Sequence, residues 1–270
     1  MLSRMRRAVF GILTAAFAAA CGGPAAPTTP PVTTPAPAVD ACGALGTASS
    51  DARPAVLSGG VCSPAHSAVV RVNLRTAAGP SAGICTGTVI APRAVLTAAH
   101  CVDEEVTAAL IFLGSGDQIP AASIHFYPGF VFNAPNTFDV GVLLFTQDIP
   151  RTPLPILTSR EGRVGETAVV SGWGRDENDV TTNLKAGATT ISAVNANFLQ
   201  TRFAPPSASV CSGDSGGSIL LQEGGRWAIG GITSATSSAA CNEGTNFFQA
   251  VFNTNVRNFI RQHVPNVGER

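Results

Sequence analysis

The sequence predicts an all-β fold closed by a C-terminal helix. Three observations carry this. After residue 60, apolar and β-branched residues come in short runs, the runs are broken by Gly, Pro, Asn and Asp, and only one segment keeps a helical period. Val69–Leu74 alternates apolar with polar letters, as a half-buried strand does. Ile84–Ile90, Val140–Phe145, Thr167–Ser171 and Trp227–Thr233 are runs of strand length bounded by turn residues. Near the end, Val256, Phe259, Ile260 and Val264 fall on one helical face, and Asn253, Thr254 or Asn255 is suited to cap the start. No internal repeat is evident. The chain has 270 residues, of which 45% are hydrophobic, enough for a substantial core.

Composition excludes one broad class. Lys+Arg and Asp+Glu both number 17, so the formal charge is zero. A nucleic-acid binder needs a basic face to neutralise phosphates. Lys185 is the single lysine; the other basic residues are arginines.

The first twenty residues read as an export signal. Arg4, Arg6 and Arg7 precede an apolar run from Val9 to Ala20, too short to span a bilayer comfortably. Ala18-Ala19-Ala20-Cys21 resembles the lipobox of bacterial lipoproteins, with Ala18 where that motif prefers Leu. Lipidation of Cys21 and ordinary signal cleavage after Ala20 both fit these letters. Residues 22–40 are almost all Gly, Pro, Thr, Ala and Val, a composition that cannot build a core and forms an extended spacer. The expected organisation is therefore signal 1–20, tether 21–40, pro-segment 41–56 and catalytic unit 57–270.

Three segments carry chemistry. Gly213-Asp214-Ser215-Gly216-Gly217-Ser218 surrounds a serine with glycines, which lets the backbone turn tightly and present free N–H groups. Read blandly, it is a surface turn. Thr97-Ala98-Ala99-His100-Cys101 leaves space beside an imidazole and can anchor it through Cys101. Phe138-Asp139-Val140-Gly141-Val142-Leu143-Leu144 sets one acid at the edge of an apolar strand, where burial requires a partner such as a histidine N–H. Asp139 could equally begin a strand after a turn.

In this order, His then Asp then Ser, these motifs resemble the trypsin/chymotrypsin family of serine proteases; subtilisins and α/β-hydrolases use other orders. Ser171-Gly172-Trp173-Gly174 and Ile232-Thr233-Ser234 extend the resemblance. It implies two packed six-stranded antiparallel β-barrels with the site between them. It implies Ser215 as nucleophile, His100 as general base, Asp139 as the residue that orients His100, and the N–H groups of Gly213 and Ser215 as an oxyanion hole. It pairs Cys85 with Cys101 and Cys211 with Cys241, which leaves Cys42 for Cys62 and Cys21 unpaired, as a lipidated cysteine would be. In the family a cleaved N-terminus pairs with the acid before the nucleophile, here Asp214. Leu57-Ser58-Gly59-Gly60 is the nearest match to that N-terminus, and no basic residue precedes Leu57, so the activating protease and its site stay open. Were the chain cut near 56/57, a Cys42–Cys62 bridge would keep the pieces joined.

The resemblance also sets Ser209 at the base of the primary specificity pocket, with Ser234, Thr236 and Asn246 around it. Without a carboxylate at the base, Arg or Lys at the cleaved position is disfavoured, and small or medium uncharged side chains are expected. The expected partners are protein or peptide substrates, and the membrane only through Cys21. His66, His125 and His263 have no partner pattern, and no zinc, calcium or phosphate motif occurs, so no metal or cofactor is expected. A catalytically silent relative acting as a binding module is the main rival. An esterase would need a Gly-x-Ser-x-Gly elbow, and a structural envelope lipoprotein would not require the three motifs to meet.

Overall fold

The structure is a computed structural model of the chain, and it describes residues 39–54, 59–132, 134, 137–176 and 180–270. The export signal, Cys21, most of the tether, and Leu57-Ser58 lie outside the described residues. No described helix is long and apolar enough to cross a membrane.

A one-turn helix α1 (Ala41–Ala44) opens the described chain, with the Asp40 carboxylate accepting from the Gly43 N–H at 2.8 Å. Strands β1 (Ser49–Pro54) and β2 (Gly60–Cys62) form an antiparallel hairpin. Cys42, Ala44 and Leu45 are buried in the main core, and Cys42 is bonded to Cys62. Residues 39–54 thus pack as part of the same compact unit as the rest of the described chain.

The first half is a curled sheet of seven strands: β3 (Val69–Thr76), β4 (Gly79–Ala91), β5 (Ala94–Thr97), β6 (Val106–Phe112), β7 (Ile119–Pro120), β8 (Ser123–Phe126) and β9 (Gly141–Leu144). Their order is β7-β6-β3-β4-β5-β9-β8. The two edges, β7 and β8, do not pair. They meet instead at the two-residue link between them: the Ala121 N–H donates to Ala109 of β6 at 2.9 Å and the Ala122 N–H to Leu144 of β9 at 2.7 Å. The expected first barrel is therefore a half-barrel closed by its own chain, because β7 has only two residues.

The second half comprises β10 (Thr167–Gly172), β11 (Lys185–Val194), β12 (Phe198–Arg202), β13 (Ser218–Glu223), β14 (Arg226–Thr236) and β15 (Thr245–Ala250). They run β11-β10-β13-β14-β15-β12, and β12 pairs back to β11. This is a closed six-stranded barrel, which leaves no unpaired edge. The β1–β2 hairpin is attached to its outside through Gly60 opposite Ala186 and Val61 opposite Lys185. The architecture is chymotrypsin-like, as the sequence implies.

The expected helix forms as α2 (Thr254–His263). Val256, Phe259 and Ile260 are buried, and Val264 is buried just past its end. Among the three possible caps, Asn253 is used: its side chain accepts from the N–H groups of Asn255 at 2.9 Å and Val256 at 3.4 Å. Asn253→Ala is expected to cost about 1 kcal/mol of stability, read as a lower denaturation midpoint with an unchanged denaturant slope.

Candidate active site

Strand register brings His100 and Asp139 together. Strands β5 and β9 are antiparallel with Thr97 opposite Gly141. Residues just after Thr97 and just before Gly141 therefore emerge at the same end. A 3-10 turn, Ala99–Cys101, lifts His100 from the end of β5, and Asp139 lies two residues before β9. The His100 Nδ1 lies 2.7 Å from Asp139 Oδ2, and the His100 backbone N–H donates to Asp139 Oδ1 at 3.0 Å.

The Asp139 carboxylate is 5% exposed, so its remaining acceptor capacity must also be met from within. Ser234, from β14 of the second barrel, donates its hydroxyl to Oδ2 at 2.6 Å. The Asp139 N–H donates to Oε1 of Gln249, from β15, at 3.0 Å, and Gln249 in turn donates to the Asn197 carbonyl at 2.9 Å. Sequence reasoning missed Gln249. It is an ordinary polar letter in a strand, and only the inter-strand geometry gives it a task. Ser234, expected at the specificity pocket, has its hydroxyl on the Asp139 carboxylate.

Ser215 sits in the turn leading to β13, and that turn is bound on three sides. The Thr86 N–H of β4 donates to the Ser215 carbonyl at 2.8 Å, and the Thr86 hydroxyl donates to the Gly213 carbonyl at 2.8 Å. The Gly216 N–H donates to the Thr233 carbonyl at 2.9 Å. Gly216 has φ of 81°, and a Cβ there would collide with the Thr97 hydroxyl and the Thr86 carbonyl. The turn is thus pressed against the segment that carries His100. Cys101, the next residue after His100, is bonded to Cys85, the neighbour of Thr86. The turn carrying His100 and the backbone of Ser215 are thus tied to neighbouring residues of β4.

The amides of the turn differ in their partners, with the exposed Ser212 N–H, like two others, making no bond among the described residues. Those of Cys211, Asp214, Gly216 and Gly217 donate to acceptors within the fold. Among the described residues, the N–H groups of Gly213 and Ser215 have no acceptor.

Asp214 is held by other backbone amides. Its carboxylate, 1% exposed, accepts from the Gly174 N–H at 2.7 Å and the Cys211 N–H at 2.8 Å. Burial pushes its pKa up to about 6, against the opposing pull of these two N–H groups and of the charge on Lys185.

The pocket residues separate. Ser209 and Asn246 are both 1% exposed and bond each other: the Asn246 amide donates to the Ser209 hydroxyl at 3.1 Å and to the Thr201 hydroxyl at 3.2 Å. Thr236 pairs with Asn246 across β14 and β15 but is exposed, its hydroxyl on the Ser238 carbonyl. Beside the site lies a cavity of about 450 Å³ walled by Val131, Phe132, Phe198, Ser234 and Phe247. Val131 is 59% exposed and Phe132 48%, and the Phe132 ring meets the His100 ring edge-on at 5.4 Å. Apart from the site, His125 and His263 stack at 4.2 Å, and burial followed by the nearby His125 lowers the His263 pKa.

All three expected disulfides are present: Cys42–Cys62, Cys85–Cys101 and Cys211–Cys241. Cys85, His100 and Cys101 cluster closely enough to bind a metal, but both sulfurs are taken up in the disulfide and are not thiolate ligands.

Known proteins share this organisation. A solved structure of HL collagenase superposes with a TM-score of 0.60 at 22% identity, covering 73% of this chain and 93% of that one. Clotting factor C of Tachypleus tridentatus is 25% identical over 210 residues, 60% of this chain and 20% of its own length. Mouse ovochymase-2 is 25% identical over 185 residues, 56% of this chain and 30% of its own. The human atrial natriuretic peptide-converting enzyme is 25% identical over 184 residues, 57% of this chain and 18% of its own. The chain thus spans less than a third of the length of the last three relatives. The family model described as Trypsin matches residues 57–260, which contain His100, Asp139 and Ser215. With that match across most of its length, the chain belongs to the trypsin family of serine proteases.

Proposed function

We propose that this protein is an exported serine endopeptidase that cleaves peptide bonds through an acyl-enzyme, with no preference for Arg or Lys. The observation that carries the reading is the buried Asp139 carboxylate bonded to the His100 imidazole, with the Ser215 turn packed against the segment bearing that imidazole.

In this reading, Asp139 accepts the Nδ1 proton of His100 and leaves Nε2 free to take the proton of the Ser215 hydroxyl. The serine oxygen attacks the scissile carbonyl carbon. The carbonyl oxygen becomes anionic and is received by the Gly213 and Ser215 N–H groups, whose lack of an internal acceptor fits that task. His100 then returns the proton to the leaving amine, and the ester left on Ser215 is hydrolysed by water activated by the same imidazole. Ser234 and Gln249 hold Asp139 in place and so act through it.

The neutral base of the pocket supports a preference for uncharged side chains. Ser209, Asn246 and Thr201 satisfy one another and offer no counter-charge to a buried cation. The apolar wall of Val131, Phe132, Phe198 and Phe247 suits hydrophobic residues of the substrate next to the cleaved bond. Three disulfides fit an oxidising compartment. Together with the signal-like start and Cys21, they support export followed by attachment through a lipid on Cys21, with residues 22–40 as spacer.

Ser215→Ala should lower kcat/KM for peptide substrates by on the order of 10⁴-fold or more while leaving the unfolding transition in place. Wild-type-like turnover in that variant would overturn the assignment. A fluorophosphonate probe should label the wild-type chain at Ser215. Intact protein that resists labelling would favour the silent binding module. Peptide-library profiling should show small or medium uncharged residues before the cleaved bond, and Ser209→Asp should shift the profile toward Arg. A wild-type preference for Arg would refute the pocket reading.

A further inference from the structure

The hydrogen bonds that hold Asp139 do not end at Gln249. Gln249 is 0% exposed, so both ends of its side-chain amide need partners inside the fold. Its Oε1 accepts from the Asp139 N–H at 3.0 Å, and its Nε2 donates to the Asn197 carbonyl at 2.9 Å. These partners fix which way the amide points. Reversed, it would set its NH2 against an N–H and its oxygen against a carbonyl. The same Asn197 carbonyl also takes the Ala250 N–H at 2.8 Å, so it holds two donors from the end of β15.

Asn197 closes the turn between β11 and β12. The Asn195 side chain braces that turn from within, accepting from the N–H groups of Asn197 at 2.9 Å and Phe198 at 2.8 Å. Asn253 grips it from outside. The Asn253 amide donates to the Ala196 carbonyl at 2.9 Å and to Asn197 Oδ1 at 3.0 Å, while its own Oδ1 caps α2. Capping needs only the acceptor oxygen, which Ser supplies as well as Asn. The two donations need an amide, and they go to the turn that holds Gln249. Helix α2 reaches the same place by packing. Phe259 lies against the Tyr127 ring at 5.9 Å, and Tyr127 meets Phe138, the residue before Asp139, edge-on at 4.9 Å.

We infer that Asn253 and Gln249 are positioning residues that tie the backbone of Asp139 to the start of α2 through the 195–197 turn, so that seating of the C-terminal helix sets the aim of the Asp139 carboxylate at His100. Neither side chain touches the reacting atoms. Both act by fixing the peptide from which the carboxylate projects, and small displacements of a positioned group are costly to turnover. The effect on turnover rests on the endopeptidase reading above; the tie itself does not.

The test uses the full chain and reads peptide turnover beside hydrogen exchange at the Asp139 amide. Asn253→Ser keeps the cap acceptor and removes both donations to the turn. It should keep a denaturation midpoint close to wild type, speed exchange of the Asp139 amide, and lower kcat severalfold with little change in KM. Gln249→Met removes the last link and should lower kcat by on the order of 10-fold or more, again with the smaller change in KM, as expected when a group acting in the transition state is misplaced. A purely structural part for these residues would lower the midpoint without separating kcat from KM. If only one of the two readouts moves in Asn253→Ser, or neither does, the inference is overturned, whether or not Gln249→Met folds. A wild type that turns over no peptide would instead count against the endopeptidase reading. Exchange at Asp139 would then decide the tie alone: faster in Asn253→Ser upholds it, and unchanged overturns it.

Discussion

The active arrangement depends on one buried carboxylate. The Asp139 carboxylate is buried away from water, so its acceptor positions have to be met by protein groups. The groups that meet it come from both halves of the fold. His100 contributes its backbone N–H and its imidazole from the end of β5, while Ser234 contributes a hydroxyl from β14. The amide of Asp139 itself is held by Gln249 of β15. The seven-stranded half-barrel and the six-stranded barrel are therefore joined at the candidate site. Displacing one half relative to the other would strand a buried charge.

Thr86 plays the matching role for the Ser215 turn. It lies on β4 of the half-barrel, yet its N–H and hydroxyl hold the carbonyls of Ser215 and Gly213, and its hydroxyl also receives the Trp173 N–H at 3.0 Å. The Cys85–Cys101 bridge beside it fixes the His100 turn to the same strand. These covalent and hydrogen-bonded ties hold the Ser215 turn and the His100 turn against the same strand. Preorganisation of this kind lets an oxyanion be stabilised without reorganising the protein as the charge develops.

A second buried carboxylate, Asp214, obeys the same rule with a different partner set. Two backbone N–H groups and the field of Lys185 oppose the desolvation that raises its pKa to about 6. Asp139 binds the histidine, and Asp214 binds the backbone of its own turn and of Gly174. Both work because the surrounding fold replaces the water they have lost.

Much of this was readable in the letters. The strand runs at Val69–Leu74, Ile84–Ile90, Val140–Phe145, Thr167–Ser171 and Trp227–Thr233 lie on strands β3, β4, β9, β10 and β14 or within a residue of their ends, because an alternating or short apolar run has few other ways to bury itself. The terminal helix and its face followed from a 3.6-residue period, and the three motifs pointed to the trypsin family. What the letters could not determine was anything set by distance through space. The edges β7 and β8 stay unpaired with each other because β7 has only two residues. Ser234 serves Asp139 because strand β14 crosses the junction there, Gln249 is recruited from β15, and Lys185 reaches Gly174 from β11. Local periodicity is written along the chain and can be read in a window. The partner of a buried polar group depends on which elements the packing brings within 3 Å or so of it, and that is decided only when the two halves close on each other.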